Sequence, residues 1–118
     1  MSANTLLYQL MQAETKNLDP GDGGSLSSKN KGIAHYAFVT ATAETRALLA
    51  PLREGLIMRL SLDTDGGDCV VTSAVAINVA GNTIMTFADA RDTITLVSII
   101  SGGTLYWSVM GNDGVDLS

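Results

Sequence analysis

From Ile33 onward, apolar residues recur at every second position in short runs, and each run is closed by residues that turn the chain. The runs are Ile33–Thr40, Leu56–Leu62, Cys69–Val75, Thr83–Phe87, Thr93–Ile100 and Thr104–Met110. They are rich in β-branched and aromatic side chains, which suit a pleated, half-buried surface, and a period of two sends alternate side chains to opposite faces. Between them stand Asp63-Thr-Asp-Gly-Gly-Asp68, Gly81-Asn82, Ala88–Asp92, Ser101-Gly-Gly103 and Gly111-Asn-Asp-Gly114. These residues tolerate left-handed backbone or hydrogen-bond their own main chain. Strands this short and evenly punctuated predict an all-β fold, an antiparallel β-sandwich or small β-barrel of jelly-roll-like kind. Glu44–Pro51 is ambiguous: Ala43, Ala47, Leu48 and Leu49 allow a helical turn, whereas Thr40, Thr42 and Thr45 favour extension. The reading adopted is a seventh strand ended by Pro51.

The first 32 residues break the pattern. Asn4 or Thr5 can cap a short helix that puts Leu6, Leu7, Leu10 and Met11 on one face. Asn17–Gly32 then concentrates turn and linker residues, Asp19-Pro-Gly-Asp-Gly-Gly24 followed by Ser25, Ser27 and Ser28, and has little to bury. The expected organisation is an extended N-terminal arm and linker over 1–32, able to hold a short helix, and a β-domain over 33–118.

A chain of 118 residues has room for one such domain without metals or disulfides. The lone Cys69 has no partner within the chain, so folding does not call for an oxidising compartment. No N-terminal stretch has the basic, apolar and small-residue regions of a secretory signal. No apolar run approaches the roughly 18 to 20 residues of a helical membrane span, and no membrane partner is expected. The net charge is −5, and the seven Lys and Arg residues are dispersed, which disfavours direct nucleic-acid binding because phosphate neutralisation dominates that affinity. Charged residues make up 16% of the chain against 46% hydrophobic, where an ordinary soluble domain carries about 25% charged. Such a balance suits a subunit that hides part of its surface in an oligomer.

Residues with chemistry to offer are few. His35 is the only imidazole and lies in an alternating run beside Tyr36 and Phe38, where a packed or hydrogen-bonded ring is the simplest reading. One His and one Cys make no zinc set. Asp63-Thr-Asp-Gly-Gly-Asp68 resembles the first half of a calcium loop, with hard oxygen ligands around a Gly pair, but the later Glu is missing and the flanks read as strands. A plain hairpin turn accounts for it. Gly21–Gly24 lacks the Lys-Ser/Thr ending of a phosphate loop. Neither a cofactor nor an enzymatic activity is expected. Of Tyr106 and Trp107, adjacent in one strand, a regular pleat turns one outward, and Trp107 is the candidate interface residue beside Leu6, Leu7, Leu10 and Met11.

The cadence of residues 56–118 carries a resemblance: Asp63–Asp68 before a strand, Ile77-Asn78 and Gly81-Asn82 before Thr83–Phe87, Asp89-Ala-Arg-Asp92 before Thr93–Leu96, then Trp107 and Gly111–Val115. It resembles the small β-rich decoration or cement proteins of tailed-bacteriophage capsids. The resemblance implies a non-enzymatic virion subunit, commonly a homotrimer, assembled in the host cytoplasm. Such a subunit sits on the capsid outer surface, where it binds the major capsid protein and stabilises the shell. Similar cadences occur in tail and fibre modules, so a tail-associated domain for host-surface or glycan recognition is the alternative.

Overall fold

The computed structural model describes residues 14–28, 32–78 and 80–118. Among them there is no helix, and ten strands form one sheet: β1 (Glu14–Asn17), β2 (Gly24–Leu26), β3 (Ile33–Val39), β4 (Glu44–Leu48), β5 (Ile57–Thr64), β6 (Cys69–Ile77), β7 (Asn82–Phe87), β8 (Thr93–Ser101), β9 (Thr104–Asp113) and β10 (Asp116–Leu117). The all-β expectation holds, the six alternating runs are strands, and Glu44–Leu48 is the seventh. The suggested helix over Leu6–Met11 lies outside the described residues.

The sheet order β1-β3-β5-β8-β9-β6-β4-β2 describes a rolled, nearly closed barrel. The sheet is mixed, which corrects the antiparallel expectation. From β1 to β6 the chain winds as a spiral, laying alternate strands on opposite flanks. On one flank β1, β3 and β5 pair in parallel, and on the other β2, β4 and β6 do the same. Parallel neighbours need a crossover between them, and each strand of one flank serves as the crossover for the other. The second half of the chain adds antiparallel pairs: β8 on β5, β9 on β8, β7 on β6 and β10 on β7. Closure depends on a single bridge between β6 and β9, Ile77 opposite Trp107.

Alternation decides what lies inside. Ala34, Tyr36 and Phe38 of β3, Met58, Leu60 and Leu62 of β5, and Ile94 and Leu96 of β8 meet Leu48, Cys69, Val71, Met85 and Phe87 from the other flank. Phe38 and Phe87 join the flanks edge to face, with ring centroids 5.4 Å apart.

The segment 14–28 belongs to this body, which corrects the reading of Asn17–Gly32 as a linker with little to bury. Its β1 and β2 extend both flanks of the spiral, and Leu26 is 0% exposed within the core. The Tyr36 hydroxyl accepts a hydrogen bond from the Ser27 amide and donates one to the Ser27 carbonyl, both at 3.1 Å, and so fixes the chain just after β2.

The Asp63–Asp68 segment, expected as a hairpin turn, instead carries the chain from one flank to the other and stacks on the turn between β3 and β4. A Cβ on Gly66 would fall 2.2 Å from the Thr40 carbonyl oxygen, and one on Gly67 would fall 2.3 Å from the Thr42 carbonyl carbon. Only glycine fits against backbone at that distance. The Glu44 amide donates to the Asp68 carbonyl, 2.9 Å, and closes the stack.

Candidate functional site

The most highly organised polar group is built where the spiral turns pile up. Alternation along Glu44-Thr-Arg-Ala-Leu48 puts Arg46 and Leu48 inward, so a guanidinium enters the space between the flanks. Its side chain is 0% exposed. The Arg46 Nε donates to Asp19 Oδ1 at 2.8 Å and Nη2 donates to Asp19 Oδ2 at 2.9 Å, a bidentate pair that matches the planar fork to the carboxylate. Nη2 also lies 3.0 Å from Glu44 Oε1, and Nη1 donates to the Thr45 carbonyl at 3.0 Å. The guanidinium carbon stands 5.5 Å from the centroid of the Phe38 ring.

Asp19 is held from its own side too. Its carboxylate accepts from the Val39 amide at 2.9 Å and the Gly21 amide at 3.2 Å. Burial opposes ionisation of Asp19, yet the hydrogen bonds from Arg46, Val39 and Gly21 and the Arg46 charge outweigh it and hold the carboxyl below its ordinary value. Burial likewise opposes the charge on Arg46, and the Asp19 hydrogen bond and charge raise its pKa. One turn away the Asp22 carboxylate accepts from the Thr45 amide, 2.9 Å. Four of the five guanidinium N–H donors are committed to protein oxygens or aimed at them, so the cluster is a clamp that fastens residues 19–22 to β4.

The remaining chemistry-bearing residues stay apart. His35 and Ser61 meet diagonally across β3 and β5, with Nε2 and Oγ 3.3 Å apart, on the outer surface of the sheet. Asp63, Asp65 and Asp68 join no group of three or more His, Cys, Asp or Glu side chains suited to a metal among the described residues. Burial pushes the Cys69 thiol up to about 11, which keeps it protonated at neutral pH and unreactive.

Trp107 is placed differently from its sequence reading as an interface residue. It is 0% exposed and faces Ser98 across β8 and β9, while its neighbour Tyr106 takes the partly exposed position. The pleat turned the larger ring inward, where it fills the closing junction of the barrel. Its Nε1 has no hydrogen-bond partner. Leu6, Leu7, Leu10 and Met11, the other interface candidates, lie outside the described residues.

Beside that junction, and unmarked in the sequence, lies a groove of about 450 Å³ lined by Val75, Ala76, Asn78, Gly81, Ser101, Thr104, Leu105 and Tyr106. It forms because pairing fails locally. The β6 register with β7 jumps between Thr72 and Ile77, and pairing with β4 stops at Ser73, so Ala74–Ala76 have no strand partner. Along β9, Thr104–Tyr106 pair with β8 alone. Two strand edges therefore flank an uncharged, mostly apolar floor. No motif in the sequence announces it, because a register jump is a property of two strands and not of one.

No family model matches this chain, and no curated protein matches it.

Proposed function

We propose that this chain is a non-enzymatic structural virion protein that decorates a phage capsid and stabilises it by binding major capsid protein surfaces. The observation that carries the reading is the cadence of residues 56–118, which resembles phage decoration proteins and which here makes up β5 to β10 of the rolled sheet. A chain poor in charge supports it, since 16% charged residues, against about 25% in an ordinary soluble domain, suit a subunit that buries surface against protein. The buried clamp around Arg46 supports it as well: that cluster braces the body, and its guanidinium is enclosed and faces protein oxygens. On this reading the protein acts as an oligomer, a homotrimer by the resemblance, on the outer face of the capsid, and residues 1–13 reach a neighbouring subunit. Several weak contacts made at once by linked copies bind far better than one.

The test is co-sedimentation of the full chain with expanded tailed-phage capsids assembled from major capsid protein. Saturable binding at a fixed ratio to capsid protein is expected. A chain lacking residues 1–13, truncated before β1 so that the sheet is spared, is expected to bind at least tenfold more weakly. Absence of co-sedimentation by the full chain refutes the reading, and undiminished binding by the truncated chain refutes the role of its first residues.

A further inference from the structure

The groove between β6 and β9 has the chemistry of a site for an added strand. Unpaired strand edges offer main-chain donors and acceptors to an extended segment, and pockets beside them take alternate side chains. The floor, chiefly Val75, Ala76, Leu105 and Tyr106, is apolar, and none of the residues lining the groove is charged. An occupant must therefore be extended, uncharged and apolar at alternate positions.

The chain itself contains one such segment. Residues 1–13 carry no charged side chain, and in extended form Leu6, Tyr8 and Leu10 would share one side. Its point of departure is suitable. The pairing rows run Glu14, Ile33, Ile57, Val97, Ser108 across β1, β3, β5, β8 and β9. Tyr106 and Leu105 lie just beyond Ser108 on β9, and Ser101 lies beyond Val97 on β8, so β1 begins at the same end of the sheet as the groove. Following the sheet from β1 to β9 crosses four strand spacings, about 19 Å. About six extended residues are spent on that distance, which would consume Tyr8–Ala13 and leave Met1–Leu7, so the alternating set of Leu6, Tyr8 and Leu10 cannot enter the chain's own groove together. A second copy has no such constraint. We propose that the groove receives residues 5–11 of a second copy of this chain as an added strand, so that each subunit donates a strand and accepts one. This names the neighbour that the proposed function leaves open, and rests on that reading only for the expectation that the protein is an oligomer.

The experiment uses two full-length variants, Leu7→Cys with a mass tag and Thr104→Cys without one, coexpressed and mildly oxidised. Thr104 is exposed at the groove rim, so the substitution spares the core, and the native Cys69 is buried. The expected product is a covalent heterodimer joined between positions 7 and 104. The control, Leu7→Cys with Asp113→Cys at the opposite end of β9, is expected to give none. Thr104→Asp in the full chain is expected to weaken self-association at least tenfold in sedimentation equilibrium. A monomeric native protein, no 7–104 heterodimer, a 7–104 disulfide formed only within one chain carrying both substitutions, or unchanged self-association of Thr104→Asp each overturns the proposal. A chain that crosslinks as expected but ignores capsids keeps this inference and loses the capsid reading. One that binds capsids without crosslinking does the reverse.

Discussion

Replacing Arg46 with Met removes a charge from the centre of the clamp and keeps an apolar stem against Phe38. Two carboxylates are left behind, Asp19 at 14% and Glu44 at 12% side-chain exposure. Removing one partner of a buried ion pair costs about 3–5 kcal/mol, because the other charge stays desolvated. Asp19 retains the Val39 and Gly21 amides and Glu44 retains the Ala41 amide, which places the cost at the lower end, about 3 kcal/mol. Set against the 5–15 kcal/mol or so of a whole domain, that is a large share. At roughly 4 °C per kcal/mol for a chain of this size, the melting temperature should fall by about 12 °C at pH 7. The pH dependence carries a sign. Asp19 has a lowered pKa when folded, so its contribution is present above the unfolded value and is lost as pH falls through the folded one. The gap between wild type and Arg46→Met should thus be widest at neutral pH and shrink below about pH 4, where the unfolded carboxyl takes up its proton. Thermal melts followed by far-UV circular dichroism from pH 2.5 to 7 measure both effects. A variant that melts within about 3 °C of wild type at pH 7, or a gap that does not narrow in acid, refutes the assignment of the clamp as the fastening of residues 19–22.

Other expectations follow from the same packing. Leu26→Ala should cost about 2–5 kcal/mol in urea unfolding, as for any buried Leu truncation, whereas a linker residue would change stability by well under 1 kcal/mol. Gly67→Ala should cost about 1–3 kcal/mol by overpacking against the turn between β3 and β4, and a neutral result would mean that the two turns are not stacked. Cys69 should react with a chromogenic disulfide reagent at pH 8 at least a hundredfold more slowly in the native protein than in 6 M urea, since burial pushes its thiol up to about 11. Equal rates would place it at the surface.

Much of this architecture is legible in the sequence because a period of two is local: Ile33–Val39, Ile57–Leu62 and Thr93–Ile100 each declare an inner and an outer face without reference to any other strand. Pairing direction is not local. The turn at Asp65–Asp68 has the composition of a hairpin loop, yet it carries the chain between flanks, and only the contact of Gly66 and Gly67 with backbone distinguishes the two uses. Leu26 escaped notice because a single apolar residue between Ser25 and Ser27 has no period. Arg46 is legible in principle: placing Leu48 inward on an alternating strand puts Arg46 inward too, and a buried guanidinium demands a carboxylate, which Asp19 and Asp22 supply from the connection between β1 and β2. Trp107 and Tyr106 are adjacent, so alternation fixed that one points inward but not which, and the barrel junction takes the larger ring.

The proposed role, bracing a capsid by covering protein surface, is tested most directly by the heat stability of expanded capsids with and without saturating protein. A ligand that binds the intact shell and not its dissociated subunits raises the disruption temperature in step with its free concentration. A concentration-dependent rise is expected on adding the full chain, and a smaller rise on adding a chain without residues 1–13. A disruption temperature unchanged at saturating protein would contradict it.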